Sequence, residues 1–187
     1  VGCVIVADRE NVGEAATGDG GRPHAEEAAL IQAGARASGA TAYVTLEPCS
    51  KRSSGADGCA QRLIDAGVKR VVFACADPHP DARDGVVMLT DAGVEVEANV
   101  LKEDAEALNR GFFKRLETGR PLLAVAASSD TYDAEFDLKR NETFEDALGR
   151  LGAAGMTRVW VRSGTPLAAQ LAARGLVDEA DDQRRPK

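Results

Sequence analysis

Pro23-His24-Ala25-Glu26 opens a run of strong helix formers that extends to Ala33, and this stretch decides how the first half of the chain folds. Proline suits the start of a helix because its φ angle is fixed and it has no N–H group to satisfy. His24 and Glu26 are therefore predicted at a helix N-terminus, next to the glycine-rich loop that precedes it. Taken alone, Glu26 could merely favour the positive end of the helix dipole.

A second stretch, residues 41–49, reads as a β-strand that ends at Glu47-Pro48-Cys49. Pro48 cannot extend a hydrogen-bonded ladder, so Cys49 is predicted at the carboxyl end of the strand. Cys59 follows a polar segment and opens the next predicted helix. One imidazole and two thiolates, from His24, Cys49 and Cys59, are enough protein ligands for a catalytic zinc with an open fourth position.

The order of these residues matches a signature of zinc deaminases, H-x-E followed by P-C-x-x-C, in which the glutamate carries protons and is not a ligand. Glu26 occupies that glutamate position. The second half of the signature is a variant, because residues 50–58 separate Cys49 from Cys59 where the signature has two residues. We therefore predict one Zn²⁺ and a catalytic Glu26.

The composition is that of an ordinary globular protein, with 187 residues, 44% hydrophobic and 28% charged. The net charge of −7 argues against a nucleic-acid partner. No apolar run reaches the roughly 18 residues of a membrane span, and four cysteines do not form a disulfide framework. We expect a cytoplasmic protein without a membrane partner, buried Cys3 and Cys75, and natural residues before Val1.

Strands alternate with helices over residues 1–120, which predicts right-handed crossovers and a parallel stretch of sheet covered on both faces. The predicted fold class is α/β, a three-layer α-β-α sandwich with a mixed, mostly parallel sheet, followed by an incomplete α/β segment. Ligands of such sheets bind beyond the carboxyl ends of the strands, where Cys49 and Asp77 both fall. The topology therefore predicts that these residues share one rim.

Thr118-Gly119-Arg120-Pro121 marks a predicted boundary between a zinc-dependent deaminase domain at 1–120 and a shorter segment at 121–187. The shorter segment has helical patterns at 143–154 and 166–174. It has no clear period over 128–140, and its charged ending predicts little regular structure. Roughly 65 residues are too few for a nucleotide-binding domain of usual size.

Several segments together resemble the deaminase half of the bifunctional riboflavin-biosynthesis deaminase–reductase family, of the cytidine-deaminase-like superfamily. They are Gly2-Cys3-Val4-Ile5-Val6, Pro23-His24-Ala25-Glu26, Ala42-Tyr43-Val44-Thr45-Leu46-Glu47-Pro48-Cys49-Ser50, residues 66–72 and Asp77-Pro78-His79-Pro80. A long gap between the two cysteines is typical of that family. Residues 109–113 and 118–121 resemble its junction with the reductase half, and residues 155–168 and 174–179 resemble the end of that half.

The resemblance implies hydrolytic removal of the exocyclic amino group from a phosphoribosylated diaminopyrimidinone, with Zn²⁺ as cofactor. It implies that Asp77 helps to orient the ring and that His79 stands where the family has an asparagine. For the basic residue that meets the substrate phosphate, this chain offers Lys51 or Arg52. A small phosphorylated pyrimidine is thus the expected partner, and we expect a homo-oligomer.

Other functions stay open at this point. One is the full bifunctional enzyme with NADPH, if the reductase half is complete. Residues 162–166, Arg-Ser-Gly-Thr-Pro, replace the expected glycine-rich cofactor loop, so we assign no cofactor-binding residues and expect no NADPH binding. Another is a catalytically silent zinc-stabilised module, against which Glu26 argues because a structural zinc site needs a closing ligand and not a base. Nucleic-acid deamination is disfavoured by the acidic charge and the cysteine spacing.

Overall fold

A computed structural model describes residues 1–52 and 55–180. The chain forms two compact units, Val1–Asn109 and Arg110–Lys187, and the division falls upstream of the boundary predicted at residues 118–121. The charged ending beyond residue 180 lies outside the described residues. Within the described ranges, no helix is both long enough and apolar enough to cross a lipid bilayer.

The first unit alternates strands with helices along its described residues. They are β1 (Gly2–Ala7), β2 (Glu10–Ala16), α1 (Ala25–Ala33), β3 (Thr41–Leu46), α2 (Cys59–Asp65), β4 (Arg70–Cys75), α3 (Gly85–Asp91) and β5 (Glu95–Ala98). Helix α4 (Lys102–Thr118) begins in this unit. The sheet has the order β2-β1-β3-β4-β5.

The pairing directions confirm the predicted α/β class with a mixed sheet. Strand β1 pairs antiparallel with both β2 and β3, whereas β3 pairs in parallel with β4, and β4 with β5. The antiparallel pairs are as numerous as the parallel ones, so the sheet is less parallel than predicted. The reason is that β1 and β2 form a hairpin, for which Asp8 and Arg9 supply the positive φ angles of a tight turn.

Alternation along the strands sends every second side chain to the core under α1, α2 and α3. Fully buried members of this core include Ile5, Leu63, Val71 and Leu89. The opposite face carries an apolar groove of about 740 Å³ beneath the start of α4, lined in part by Val4, Tyr43 and Val72. Helices thus cover one face fully and the other in part.

The two remaining cysteines behave as small apolar residues. Cys3 on β1 and Cys75 on β4 are each 1% exposed, as the sequence predicts. Burial raises the pKa of the Cys3 thiol well above its ordinary value, and the charge of Glu26 acts in the same direction. Cys75 donates its S–H to the carbonyl of Thr45. Neither thiol is a metal ligand in this arrangement.

The second unit is built on a smaller parallel sheet with the order β7-β8-β6-β9. Its described elements are β6 (Leu122–Ala126), β7 (Ala134–Glu135), α5 (Phe144–Ala153), β8 (Arg158–Arg162), α6 (Pro166–Ala173) and β9 (Glu179–Ala180). The two helices match the helical patterns predicted at 143–154 and 166–174 within a residue or two. Strands β7 and β9 have no sequence signal, because two residues are too few to show a period.

The core of the first unit gives a direct test of the packing. Leu63 is fully buried on α2, whereas Leu108 on α4 is 66% exposed. We expect Leu63→Ala to lower the free energy of unfolding by about 2–5 kcal/mol, because it removes buried surface and leaves a cavity. Leu108→Ala, the matched control, should stay within about 0.5 kcal/mol of the parent. Urea unfolding followed by circular dichroism measures both, and equal losses would contradict this packing.

Candidate metal centre

The first half of the centre lies at the start of α1. His24 is the N-cap residue, with extended backbone angles. Pro23 lies just before it, outside the first helical turn in which the sequence predicted it. Glu26 is in the first turn and only 4% exposed. The side chains of His24 and Glu26 therefore come from the same helix start, with the imidazole half-buried and the carboxylate buried.

The second half is formed by the segment between the two cysteines. Lys51 pairs with Asp57 in an isolated antiparallel bridge, which turns the chain back on itself. The amide of Ala60 then donates to the carbonyl of Cys49 at 3.1 Å. This return brings Cys59, the first residue of α2, beside Cys49 despite the long spacing. Residues 53 and 54 of this segment lie outside the described residues.

Gly58 makes the close return possible. A Cβ atom at this position would lie 2.2 Å from the Cys49 carbonyl oxygen and 2.4 Å from the Ser50 carbonyl carbon. Since backbone atoms cannot move aside as a flexible side chain can, any other residue here would push the segment away. The close approach of α2 to Cys49 thus depends on the missing side chain of Gly58.

The three predicted zinc ligands meet in space. The Nδ1 atom of His24 lies 3.2 Å from Sγ of Cys59 and 3.7 Å from Sγ of Cys49. All three ligand atoms lie within 4.8 Å of one another. Among the described residues, these three side chains form the group that could hold a metal ion. Bond lengths of about 2.0–2.1 Å to nitrogen and 2.3 Å to sulfur are usual for zinc. The donor set and its spacing fit this ion.

The pKa values of the two thiols are shifted in opposite directions. A hydrogen bond from Cys59 lowers the pKa of Cys49 to about 4, and His24 together with the Cys59 amide acts in the same direction. The Cys59 amide lies 3.4 Å from the Cys49 sulfur. The pKa of Cys59 is raised, first by its hydrogen bond to Cys49 and then by burial. Cys49 is therefore a ready thiolate, and metal binding must displace the proton of Cys59.

Glu26 lies beside this cluster without belonging to the ligand set. Its pKa is raised, above all by burial and also by the charge of Cys49, while its own backbone N–H group and the charge of His24 lower it. A hydrogen bond with the Cys59 thiol places its carboxylate next to the sulfur atoms. A buried carboxyl group at this position can exchange protons with a molecule bound at the metal.

Asp77 and His79 follow β4 at the same rim of the sheet as Cys49, as the parallel topology predicts. Both are half-buried, and the Asp77 carboxylate accepts a 2.9 Å hydrogen bond from the amide of His79. Burial raises the pKa of Asp77, and the charges of His79 and His24 lower it while that of Cys49 raises it. The Asp77 side chain is therefore electrostatically coupled to the cluster.

Lys51 and Arg52 have different environments. Lys51 is exposed. The side chain of Arg52 is only 7% exposed and its Nη2 atom lies 2.8 Å from the Glu27 carboxylate. The structure thus turns Arg52 towards α1.

Two acidic residues near the centre were missed by sequence reasoning. Glu27 stands next to Glu26 and pairs with Arg52. Glu47 accepts hydrogen bonds from the amides of Asp77 and Val86, and its pKa is raised, chiefly by burial. Glu47 could have been noticed from its place before Pro48-Cys49, whereas only the three-dimensional contact reveals the role of Glu27.

Residues 1–75 match the family model of the cytidine and deoxycytidylate deaminase zinc-binding region. The riboflavin biosynthesis protein RibD of Haemophilus influenzae is 50% identical over 133 residues, which cover 70% of this chain and 36% of that protein. The diaminohydroxyphosphoribosylamino-pyrimidine deaminase of Buchnera aphidicola is 43% identical over 122 residues, 65% of this chain and 82% of that protein. A structure of Acinetobacter baumannii RibD aligns with a TM-score of 0.72 at 28% identity, over 96% of this chain and 78% of that one.

The mixed sheet, the cluster of one histidine and two cysteines, and the buried glutamate beside it define the class of zinc-binding deaminases. Within that class, the chain belongs to the riboflavin-biosynthesis deaminase family. The family predicted from the sequence motifs is confirmed. The chain spans about a third of the length of the H. influenzae relative.

The ligand set predicts how the metal content responds to mutation. We expect about one zinc per chain, as three protein ligands of this type require. Cys59→Ser should lose most of that zinc, because the oxygen of a neutral hydroxyl group is a poor substitute for a thiolate. Metal analysis by plasma emission after dialysis measures the content, with Cys75→Ser as the matched control. Unchanged zinc in Cys59→Ser would contradict the ligand assignment.

Proposed function

We propose that the chain catalyses the hydrolytic deamination of a diaminohydroxyphosphoribosylaminopyrimidine-like substrate in riboflavin biosynthesis. The family membership supports the reaction class, and the name of the Buchnera relative supports the substrate. The single observation that carries the proposal is the buried carboxyl group of Glu26 beside His24, Cys49 and Cys59. A structural zinc site has no use for such a base.

In this proposal, His24, Cys49 and Cys59 hold the metal. A zinc ion with three protein ligands supplies Lewis-acid activation of a water molecule at neutral pH. Glu26 would accept a proton from the attacking water as its oxygen bonds to the ring carbon that bears the amino group, and would donate that proton to the adjacent ring nitrogen. As the C–N bond breaks and the carbonyl forms, the same carboxyl group would pass the proton of the newly added hydroxyl group to the amino group, which leaves as ammonia.

The walls around the cluster have separate roles in substrate binding. Asp77 orients the pyrimidine ring from the end of β4, and His79 lies in the same turn. Lys51 reads the phosphate, because it is exposed at the edge of the intercysteine segment and its ammonium group can reach solvent. Arg52, the other residue considered for this role, is less suited because Glu27 already holds its guanidinium group.

The expectations about the rest of the molecule stay predictions. They are the reductase-like nature of residues 121–187, the absence of NADPH binding, and a homo-oligomeric state. The acidic net charge of −7 supports a small-molecule substrate over a nucleic acid. The small parallel sheet of the second unit is compatible with a reductase fragment.

Glu26→Gln tests the proton transfer. Glutamine keeps the shape and hydrogen bonding of the side chain but cannot accept a proton at neutral pH. We expect kcat for ammonia release to fall at least about a thousandfold, with zinc content and fold retained. Glu10→Gln, which alters a glutamate that is mostly exposed, is the matched control and should keep full activity.

Two results would overturn this assignment. Turnover of Glu26→Gln near the parental rate would show that Glu26 does not carry the protons, and the proposed deaminase mechanism would be wrong. Loss of zinc in the same variant would make Glu26 a ligand. Ammonia release is measured on a panel of aminopyrimidines with and without ribose phosphate, so that substrate choice and chemistry are read separately.

Lys51→Ala tests the reading of the phosphate. A hydrogen bond to a charged group is worth about 1.5–3 kcal/mol, so KM for the phosphorylated substrate should rise by about tenfold or more. KM for the corresponding nucleoside should hardly change. Lys69→Ala, which removes an exposed lysine before β4, is the control. Equal effects of Lys51→Ala on both substrates would remove Lys51 from the phosphate site.

A further inference from the structure

A partly buried network of charges lies close to the metal centre. The Glu27 carboxylate contacts two guanidinium groups, with Oε2 at 2.8 Å from Nη2 of Arg52 and Oε1 at 3.3 Å from Nη1 of Arg62. The side chain of Arg52 is 7% exposed and that of Glu27 is 20% exposed. Charged groups are buried to this extent at a cost that pairing must offset. We therefore expect this network to do more than keep the protein surface soluble.

The positions of these residues connect the network to the ligands. Glu27 follows His24 by three residues, Arg52 follows Cys49 by three residues, and Arg62 follows Cys59 by three residues. Each segment that supplies a ligand thus also supplies one member of the network. The three segments that supply the ligands are therefore also linked to one another by ion pairs.

The network also contacts the sulfur atom of Cys59. Burial lowers the pKa of Arg52, but the hydrogen bond and charge of Glu27 outweigh it, and the charge and hydrogen bond of Cys59 add to the net rise. The Cys59 thiol is fully buried. The Arg52 side chain therefore contacts both α1, through Glu27, and the start of α2, through Cys59.

We propose that Glu27 and Arg52 are positioning residues of the zinc site: their ion pair ties the intercysteine segment to α1 and so holds Cys49 and Cys59 beside His24. This assignment rests on the zinc site of the proposed function and gives Arg52 a role different from phosphate recognition. Residues that orient metal ligands typically contribute about 10–100-fold to metal affinity. The metal, and not the substrate, is the partner that these residues serve.

The experiment measures metal binding in Arg52→Ala, Arg52→Lys, Glu27→Gln and the double variant Arg52→Ala/Glu27→Gln. Dissociation constants for Zn²⁺ come from competition with a chromophoric chelator. Co²⁺ substitution adds the thiolate-to-cobalt absorption band, which reports on sulfur ligation. Arg36→Ala is the matched control, because it breaks an ion pair of the same unit in which both side chains are more than half exposed.

We expect Arg52→Ala and Glu27→Gln each to weaken Zn²⁺ binding about 10–100-fold and to reduce the cobalt band. Arg52→Lys should retain more affinity than Arg52→Ala because it keeps the charge. The double variant should lose less than the sum of the single losses in free energy, since the two residues act as one pair. Arg36→Ala should bind zinc like the parent.

At saturating zinc, KM for the phosphorylated substrate should stay within about twofold of the parent in Glu27→Gln. Such a change is too small to reflect a lost substrate hydrogen bond.

Several outcomes would overturn the inference. Folded variants with parental zinc affinity and a parental cobalt band would do so, and Glu27→Gln decides the matter if Arg52→Ala does not fold. A rise in KM for the phosphorylated substrate alone, with zinc affinity unchanged in Arg52→Ala, would return Arg52 to phosphate recognition. If the parent binds zinc but releases no ammonia from any substrate, the proposed function fails, while loss of zinc affinity in these variants still supports the positioning role.

Discussion

Two sulfur atoms and one imidazole nitrogen are held within 4.8 Å of one another, and the rest of the first unit depends on this convergence. The three ligands come from separate segments, and two of them are able to carry negative charge. Bringing like charges together in a buried place is unfavourable unless other contacts fix the segments. The helix start at His24, the end of β3 and the start of α2 must therefore each be anchored by the fold.

The anchors are mainly backbone contacts. The Lys51–Asp57 bridge and the hydrogen bond from Ala60 to Cys49 replace the single helical turn that a two-residue cysteine spacing would provide. On the other side of Cys49, a Cβ atom at Gly85 would lie 2.1 Å from the Pro48 carbonyl oxygen, so α3 also packs directly against the ligand segment. Glycines at both contacts let backbone meet backbone, which explains how a longer intercysteine segment preserves the same donor set.

The sequence predicted the local elements and the convergence of His24, Cys49 and Cys59 better than the contacts around them. His24, Glu26, Cys49 and Cys59 stand out because their residue types and order are specific to one chemistry. The partners of Arg52 could not be predicted, since the contact with Glu27 joins residues far apart in the chain and has no periodic signal. Position after Cys49 suggested a substrate contact for Arg52, and only the structure shows that its side chain is buried whereas Lys51 is exposed.

The charges of Glu26 and Arg52 both act on the candidate metal centre. Burial and the charge of Cys49 raise the pKa of Glu26. A negative charge on Glu26 beside the Cys49 thiolate is therefore unfavourable unless a cation lies close to both. A divalent cation reverses that preference because it is the largest local charge in such a site. The Arg52 guanidinium, which is paired with Glu27, places a permanent positive charge beside Cys59. Arg52, a permanent cation, and Glu26, a buried acid, therefore act on the same sulfur atom of Cys59 from different segments of the chain.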